Sequence, residues 1–132
     1  MATLDAWIAR VRSLPELGKR AAPDVADMLE RELRGTIAAG QSPDGAPLEL
    51  TQEGEVPLTG AGKALGVAAI GGTVYVRLKG VEAAHHLGRV RGGKARQLIP
   101  VNALPPAMAE ATARILSKHF TDTMTGKEAG VL

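Results

Sequence analysis

The stretch that is most informative about the fold reads Leu65-Gly66-Val67-Ala68-Ala69-Ile70-Gly71-Gly72-Thr73-Val74-Tyr75-Val76-Arg77-Leu78. Apolar residues occupy alternate positions on both sides of the glycine pair, which is the period of a strand with one buried face. Two glycines supply the positive φ angles that a tight hairpin turn requires. We therefore predict an antiparallel hairpin at Gly71-Gly72. Its second strand should turn four side chains to solvent: Thr73, Tyr75, Arg77 and Lys79.

Helical patterns precede this hairpin. The stronger one has five apolar residues at helical spacing, Val25, Met28, Leu29, Leu33 and Ile37. Pro23 suits the first position of this helix, and we place its end near Gly40. A shorter helix is predicted from Leu4, with Thr3 as its N-cap and Pro15 at its end. Its apolar face should comprise Leu4, Trp7, Ile8 and Val11.

Three further elements follow from local chemistry. Ser42-Pro43-Asp44-Gly45 has the residue order of a type I turn. Gln97–Val101 is a candidate third strand, which Pro100 would confine to an edge or a strand end. After Pro105-Pro106, an apolar stripe predicts a last helix reaching about Phe120. This stripe consists of Met108, Ala111, Ile115, Leu116 and His119, and the histidine should be a hydrogen-bonded core or boundary residue.

These elements predict an α+β fold. It should contain N-terminal helices, a small antiparallel sheet and a C-terminal helix packed on the sheet. The length of 132 residues suits one domain, which we place at 1–120. Residues 121–132 are polar and lack a helical or strand period, so they are predicted to form a mobile C-terminal tail.

Composition excludes several classes of function. The chain has no Cys, so a disulfide scaffold, a thiol nucleophile and Cys-ligated zinc are ruled out. Sixteen Lys and Arg against 14 Asp and Glu leave a charge of +2, too small for a DNA-coating protein. The longest weakly apolar run, 64–72, is short and interrupted by glycines, so we expect no membrane segment. We expect the chain to be soluble and to remain in the compartment where it is made.

Motifs for catalysis or cofactor binding are incomplete. Gly60-Ala61-Gly62-Lys63 resembles part of a phosphate-binding loop, but Pro57 stands where its first glycine belongs and Ala64 follows the lysine. His85 and His86 are adjacent, so their side chains point in different directions on a helix or a strand. A packed or interfacial histidine pair is therefore favoured over a zinc site. We predict a non-enzyme with no catalytic residues, no metal and no cofactor.

A basic run is the most distinctive candidate site. Its four cations lie within eight residues and are interrupted by glycines: Arg89, Arg91, Lys94 and Arg96. Three interpretations remain open, namely a solvated loop, docking on an acidic protein partner and contact with nucleic-acid phosphates.

The order of several segments resembles a known family. They are the turn with its flanks at 41–48, Pro57-Leu58-Thr59-Gly60, the hairpin, the block 81–88 (Val-Glu-Ala-Ala-His-His-Leu-Gly) and the helix after Leu104-Pro105-Pro106. Together with the N-terminal helical region, they resemble the tail-completion and neck proteins of long-tailed bacteriophages and prophages.

The resemblance implies a virion structural protein that forms a ring at the neck, between the capsid connector and the tail tube. The expected partners are further copies of the chain, as a hexamer, and other neck, connector and tail proteins. The protein would be assembled in the bacterial cytoplasm and reside in the virion. The cations of 89–96 would contact a neighbouring ring or DNA in the channel, and His85 and His86 would lie at an interface.

Two alternatives from other classes stay open. The first is a small nucleic-acid-binding protein that uses the 89–96 loop, and the second is a non-enzymatic regulatory partner whose amphipathic helices bind another chain. Steep salt dependence of DNA binding would distinguish the first alternative. A stable one-to-one complex with a single soluble partner would distinguish the second.

Overall fold

The computed structural model describes residues 3–48, 60–80, 97–100 and 103–126. The described elements are helix α1 (Leu4–Ser13), a 3₁₀ turn (Leu14–Glu16), helix α2 (Leu17–Ala38), a second 3₁₀ turn (Ala61–Ala64), strands β1 (Leu65–Ile70) and β2 (Thr73–Leu78), and helix α3 (Pro106–Thr125). Long helices and an antiparallel hairpin in one chain make an α+β fold, as the sequence predicts.

Helix α2 provides the centre of the core. The five apolar residues predicted as its inner face are all buried, and Leu33 is completely inaccessible to solvent. The inner face of the hairpin packs on one side of this helix and α3 packs on another. Hydrogen bonds that join Arg20 to Thr123 and Asp24 to His119 show that α2 and α3 run antiparallel. The last helix therefore packs mainly against α2, and it meets the sheet residues within one shared apolar cluster.

The hairpin follows the predicted register. Val67 lies opposite Val76, and Leu65 lies opposite Leu78. Gly71 has a φ of 63°, whereas Gly72 does not adopt the left-handed region. The turn therefore requires one glycine with positive φ and not the two that the sequence suggested.

The predicted start of α2 at Pro23 is wrong. The helix begins at Leu17, six residues earlier, and Pro23 lies inside it. A proline removes one backbone hydrogen bond, here the one that would reach the carbonyl of Lys19. Pro23 is exposed, and both flanking segments of α2 are anchored by buried side chains. Their packing outweighs the lost bond.

Two further predictions are corrected near the end of the chain. Residues 97–100 form no strand. The Gln97 side chain donates to the carbonyl of Ile99, and Leu98 is fully buried in a cluster with Ile37 and Leu48. Val101 lies outside the described residues. Helix α3 continues past Phe120 to Thr125, so the predicted tail, 121–132, begins within a helix. Residues 127–132 lie outside the described part.

Helix α1 differs from its prediction in packing. Thr3 caps it, since its Oγ1 accepts the Ala6 amide at 3.1 Å, and the helix ends before Pro15 as predicted. None of its residues is buried, however. Leu4 and Trp7, which belong to the predicted apolar face, remain largely exposed.

Candidate functional site

The six residues predicted as contact positions lie outside the described part of the chain. They are the cations Arg89, Arg91, Lys94 and Arg96 and the histidines His85 and His86. Their roles stay predictions, and the candidate surfaces of the described residues must be built from other side chains.

The outer face of the hairpin is one such surface. Small residues on β1 lie opposite large ones on β2, with Gly66 paired to Arg77 and Ala68 paired to Tyr75. The Arg77 side chain crosses Gly66 so closely that a Cβ there would lie 3.2 Å from Arg77 Nε. Tyr75 and Ile70 are more than half exposed on this face. The result is a shallow apolar strip beside a cationic group.

A cleft between α2, the 42–45 turn and the start of α3 is a second surface. Its volume is about 360 Å³. Glu32 and Asp44 are its charged lining residues, and Pro43, Pro105, Pro106 and Met108 supply apolar walls.

The predicted type I turn forms one wall of this cleft. The Gly45 amide donates to the Ser42 carbonyl at 2.9 Å, which closes the turn. The Ser42 hydroxyl donates to Asp44 Oδ1, and the Ala46 amide donates to the same oxygen at 3.2 Å. These hydrogen bonds lower the pKa of Asp44, the serine hydroxyl having the larger effect. The Asp44 carboxylate is therefore charged at neutral pH.

Two arginines hold the end of α3 against the N-terminal helices. Arg10 Nη1 donates to the carbonyl of Met124 at 3.1 Å, and Arg20 Nη2 donates to Thr123 Oγ1 at 3.0 Å. Guanidinium groups at a helix C-terminus satisfy free carbonyls and complement the negative end of the dipole. Arg10 Nε is buried without a hydrogen-bond partner among the described residues. The guanidinium of Arg10 is thus a structural clamp on the C-terminus of α3.

His119 has the boundary role that its sequence position predicts. Its Nε2 lies 2.7 Å from Asp24 Oδ2, and its side chain is 15% exposed while that of Asp24 is 60% exposed. This bond joins α3 to α2 at the rim of the core. It is a structural contact between helices.

All three aromatic side chains of the chain lie at the surface. Trp7 is 49% exposed, Tyr75 52% and Phe120 47%, and they belong to α1, β2 and α3 respectively. The apolar pattern predicted a buried face for Trp7 and did not indicate its exposure. The scarcity of aromatic residues was the one sequence feature that bears on this exposure. Because the core is built from aliphatic side chains, the three aromatic side chains are not needed to fill it and can contact other molecules.

Two further features are absent from the described residues. Among residues 3–48, 60–80, 97–100 and 103–126, no three His, Asp or Glu side chains are grouped so that they could hold a metal ion. No helix in these ranges is both long and apolar enough to cross a membrane.

Comparison of the chain with models of protein families, with curated proteins and with solved structures yields no significant match.

Proposed function

We propose that this chain is a structural subunit of a long-tailed bacteriophage or prophage particle. It forms a ring at the neck, completes the tail and joins the tail tube to the capsid connector. In this role it is no enzyme and uses no cofactor. It is assembled in the host cytoplasm and resides in the virion, where its partners are its own copies and the adjoining neck, connector and tail proteins.

The surface position of the three aromatic side chains carries this proposal. Trp7, Tyr75 and Phe120 are each about half exposed, on three different elements. Aromatic residues are enriched at protein interfaces because they bury a large apolar area while immobilising few rotatable bonds. A subunit with neighbours on several sides would cover all three. This distribution supports a function that is performed by surfaces.

The packing of α1 supports the same proposal. This helix contains no buried residue, and Leu4 is 71% exposed. A helix of ten residues is marginal without tertiary packing, and the described residues leave every side chain of this helix at least partly exposed. A neighbouring subunit that covers its apolar face would stabilise it through association.

Electron microscopy tests the proposal directly. We expect the purified chain to form rings, and we expect the same rings at the neck of particles from the phage or prophage that encodes it. Deleting the gene should leave filled capsids and separate tails. Normally joined particles in the deletion strain would refute the proposal. Tight, steeply salt-dependent binding of duplex DNA by the isolated subunit would favour the nucleic-acid-binding alternative.

A further inference from the structure

We infer that copies of this chain associate head to tail through two surfaces of opposite charge. The outer face of the β1–β2 hairpin of one copy would occupy the cleft between α2, the 42–45 turn and the start of α3 in the next copy. This inference rests on the proposed ring and assigns the surfaces that build it.

The hairpin face contributes cations together with apolar area. Between residues 65 and 80 the charged side chains are Arg77 and Lys79, and this segment contains no Asp or Glu. Both are exposed. Ile70, which is 66% exposed, and Tyr75 extend the same face with apolar surface. Such a face suits a partner that offers both carboxylates and apolar walls.

The cleft offers this combination. Glu32 and Asp44 line it, and its described lining includes no Lys or Arg. Hydrogen bonds from Ser42 and Ala46 keep the Asp44 carboxylate in place and charged. Pro105 and Pro106, which are at least partly exposed, provide flat apolar walls against which a tyrosine ring can pack. An arginine beside that ring can pair with a carboxylate.

A second copy fits the hairpin face better than nucleic acid does. Phosphates would engage Arg77 and Lys79 but would leave Ile70 and Tyr75 exposed. The hairpin face and the cleft share no residue. A copy can therefore use its hairpin face towards one neighbour and its cleft towards another, which is a heterologous contact. Repetition of a heterologous contact produces a closed ring when the rotation between copies closes. The two surfaces therefore explain how one chain could build a ring.

Sedimentation of the full chain over a range of concentrations tests the interface by charge reversal. We expect Arg77→Glu to weaken self-association by about tenfold or more, because it places a carboxylate against two others. Glu32→Lys should weaken it for the converse reason. The double variant should recover much of the loss, since each contact regains opposite charges. Arg114→Glu, an equal charge change on the exposed side of α3 and outside both surfaces, should have little effect.

The possible outcomes distinguish failure of the proposed interface from failure of the proposed function. Unchanged association of Arg77→Glu, with rings still present, would refute the interface and leave the ring proposal standing. A wild-type chain that is monomeric at all concentrations would also refute the interface, but the proposed function fails only if the chain is absent from particles as well. Loss of duplex DNA binding in Arg77→Glu, with self-association intact, would assign the hairpin face to nucleic acid. Circular dichroism should show that all variants fold, because the three sites are exposed.

Discussion

Gly126 lies at the end of α3, close to the Arg10 side chain of α1, and replacing it with alanine tests that packing. Gly126 ends the helix with a φ of 74°, where an added Cβ would lie only 2.6 Å from Nη2 of Arg10. The guanidinium would have to move away, and its bond to the Met124 carbonyl would be lost. Two separate costs are therefore expected from this one substitution.

The magnitude follows from these two costs. An alanine with left-handed φ costs roughly 1 kcal/mol after allowing for the lower entropy of its unfolded chain. Loss of a partly buried hydrogen bond from a charged donor adds about 1.5 kcal/mol. We therefore expect Gly126→Ala to reduce the free energy of unfolding by about 2.5 kcal/mol. Gly71→Ala is the matched control, since Gly71 has a φ of 63° and no atom within 4 Å of the added Cβ. It should cost roughly 1 kcal/mol.

Urea unfolding followed by circular dichroism measures the stability of both variants. The slope of the unfolding free energy against urea concentration should equal that of the wild type. Repeating the pair of substitutions in an Arg10→Ala background removes the proposed contact, so Gly126→Ala should then cost no more than Gly71→Ala. Equal costs in the wild-type background, or a difference that persists without Arg10, would refute the reasoning.

Three other expectations concern stability. Leu33→Asp should unfold the chain, because it buries an unpaired charge at a fully inaccessible site. Arg31→Asp, on the exposed side of α2, is the control and should fold. Circular dichroism distinguishes the two results. Ending the chain after Phe120 should lower the melting temperature markedly, because it removes Thr123 and the carbonyl of residue 124, which accept hydrogen bonds from Arg20 and Arg10. Ending the chain after Gly126 keeps both acceptors and is the control. Equal melting temperatures of the two shortened chains would argue against the arginine clamp. Ser42→Ala should raise the pKa of Asp44 in a carboxyl NMR titration, since the hydroxyl is the main cause of its lowered value. A group with a lowered folded pKa contributes stability at neutral pH that is lost as pH falls through that pKa, so the variant should lose less stability on acidification.

Local patterns in the sequence were sufficient for several parts of the fold. The hairpin register follows from alternation around Gly71-Gly72, and the inner face of α2 follows from the spacing of its apolar residues. The 42–45 turn follows from its residue order. In each case the backbone conformation and the direction of the side chains depend on residues close together in the chain, so residue order and spacing indicate them. The charged lining of the cleft is different, because Glu32 and Asp44 become neighbours only when α2 and the turn are in place.

Other features depended on contacts between distant parts of the chain. Helix α3 passes Phe120 because arginines at positions 10 and 20 hold its last turn, more than one hundred residues away in sequence. Pro23 is tolerated within α2 because packing on both sides of it compensates for one missing hydrogen bond. Trp7 sits on an apolar stripe, yet it is about half exposed, because the elements in the described part of the chain do not fully cover it. Periodicity identifies a face that favours burial, but the three-dimensional arrangement of the elements determines whether anything is there to bury it.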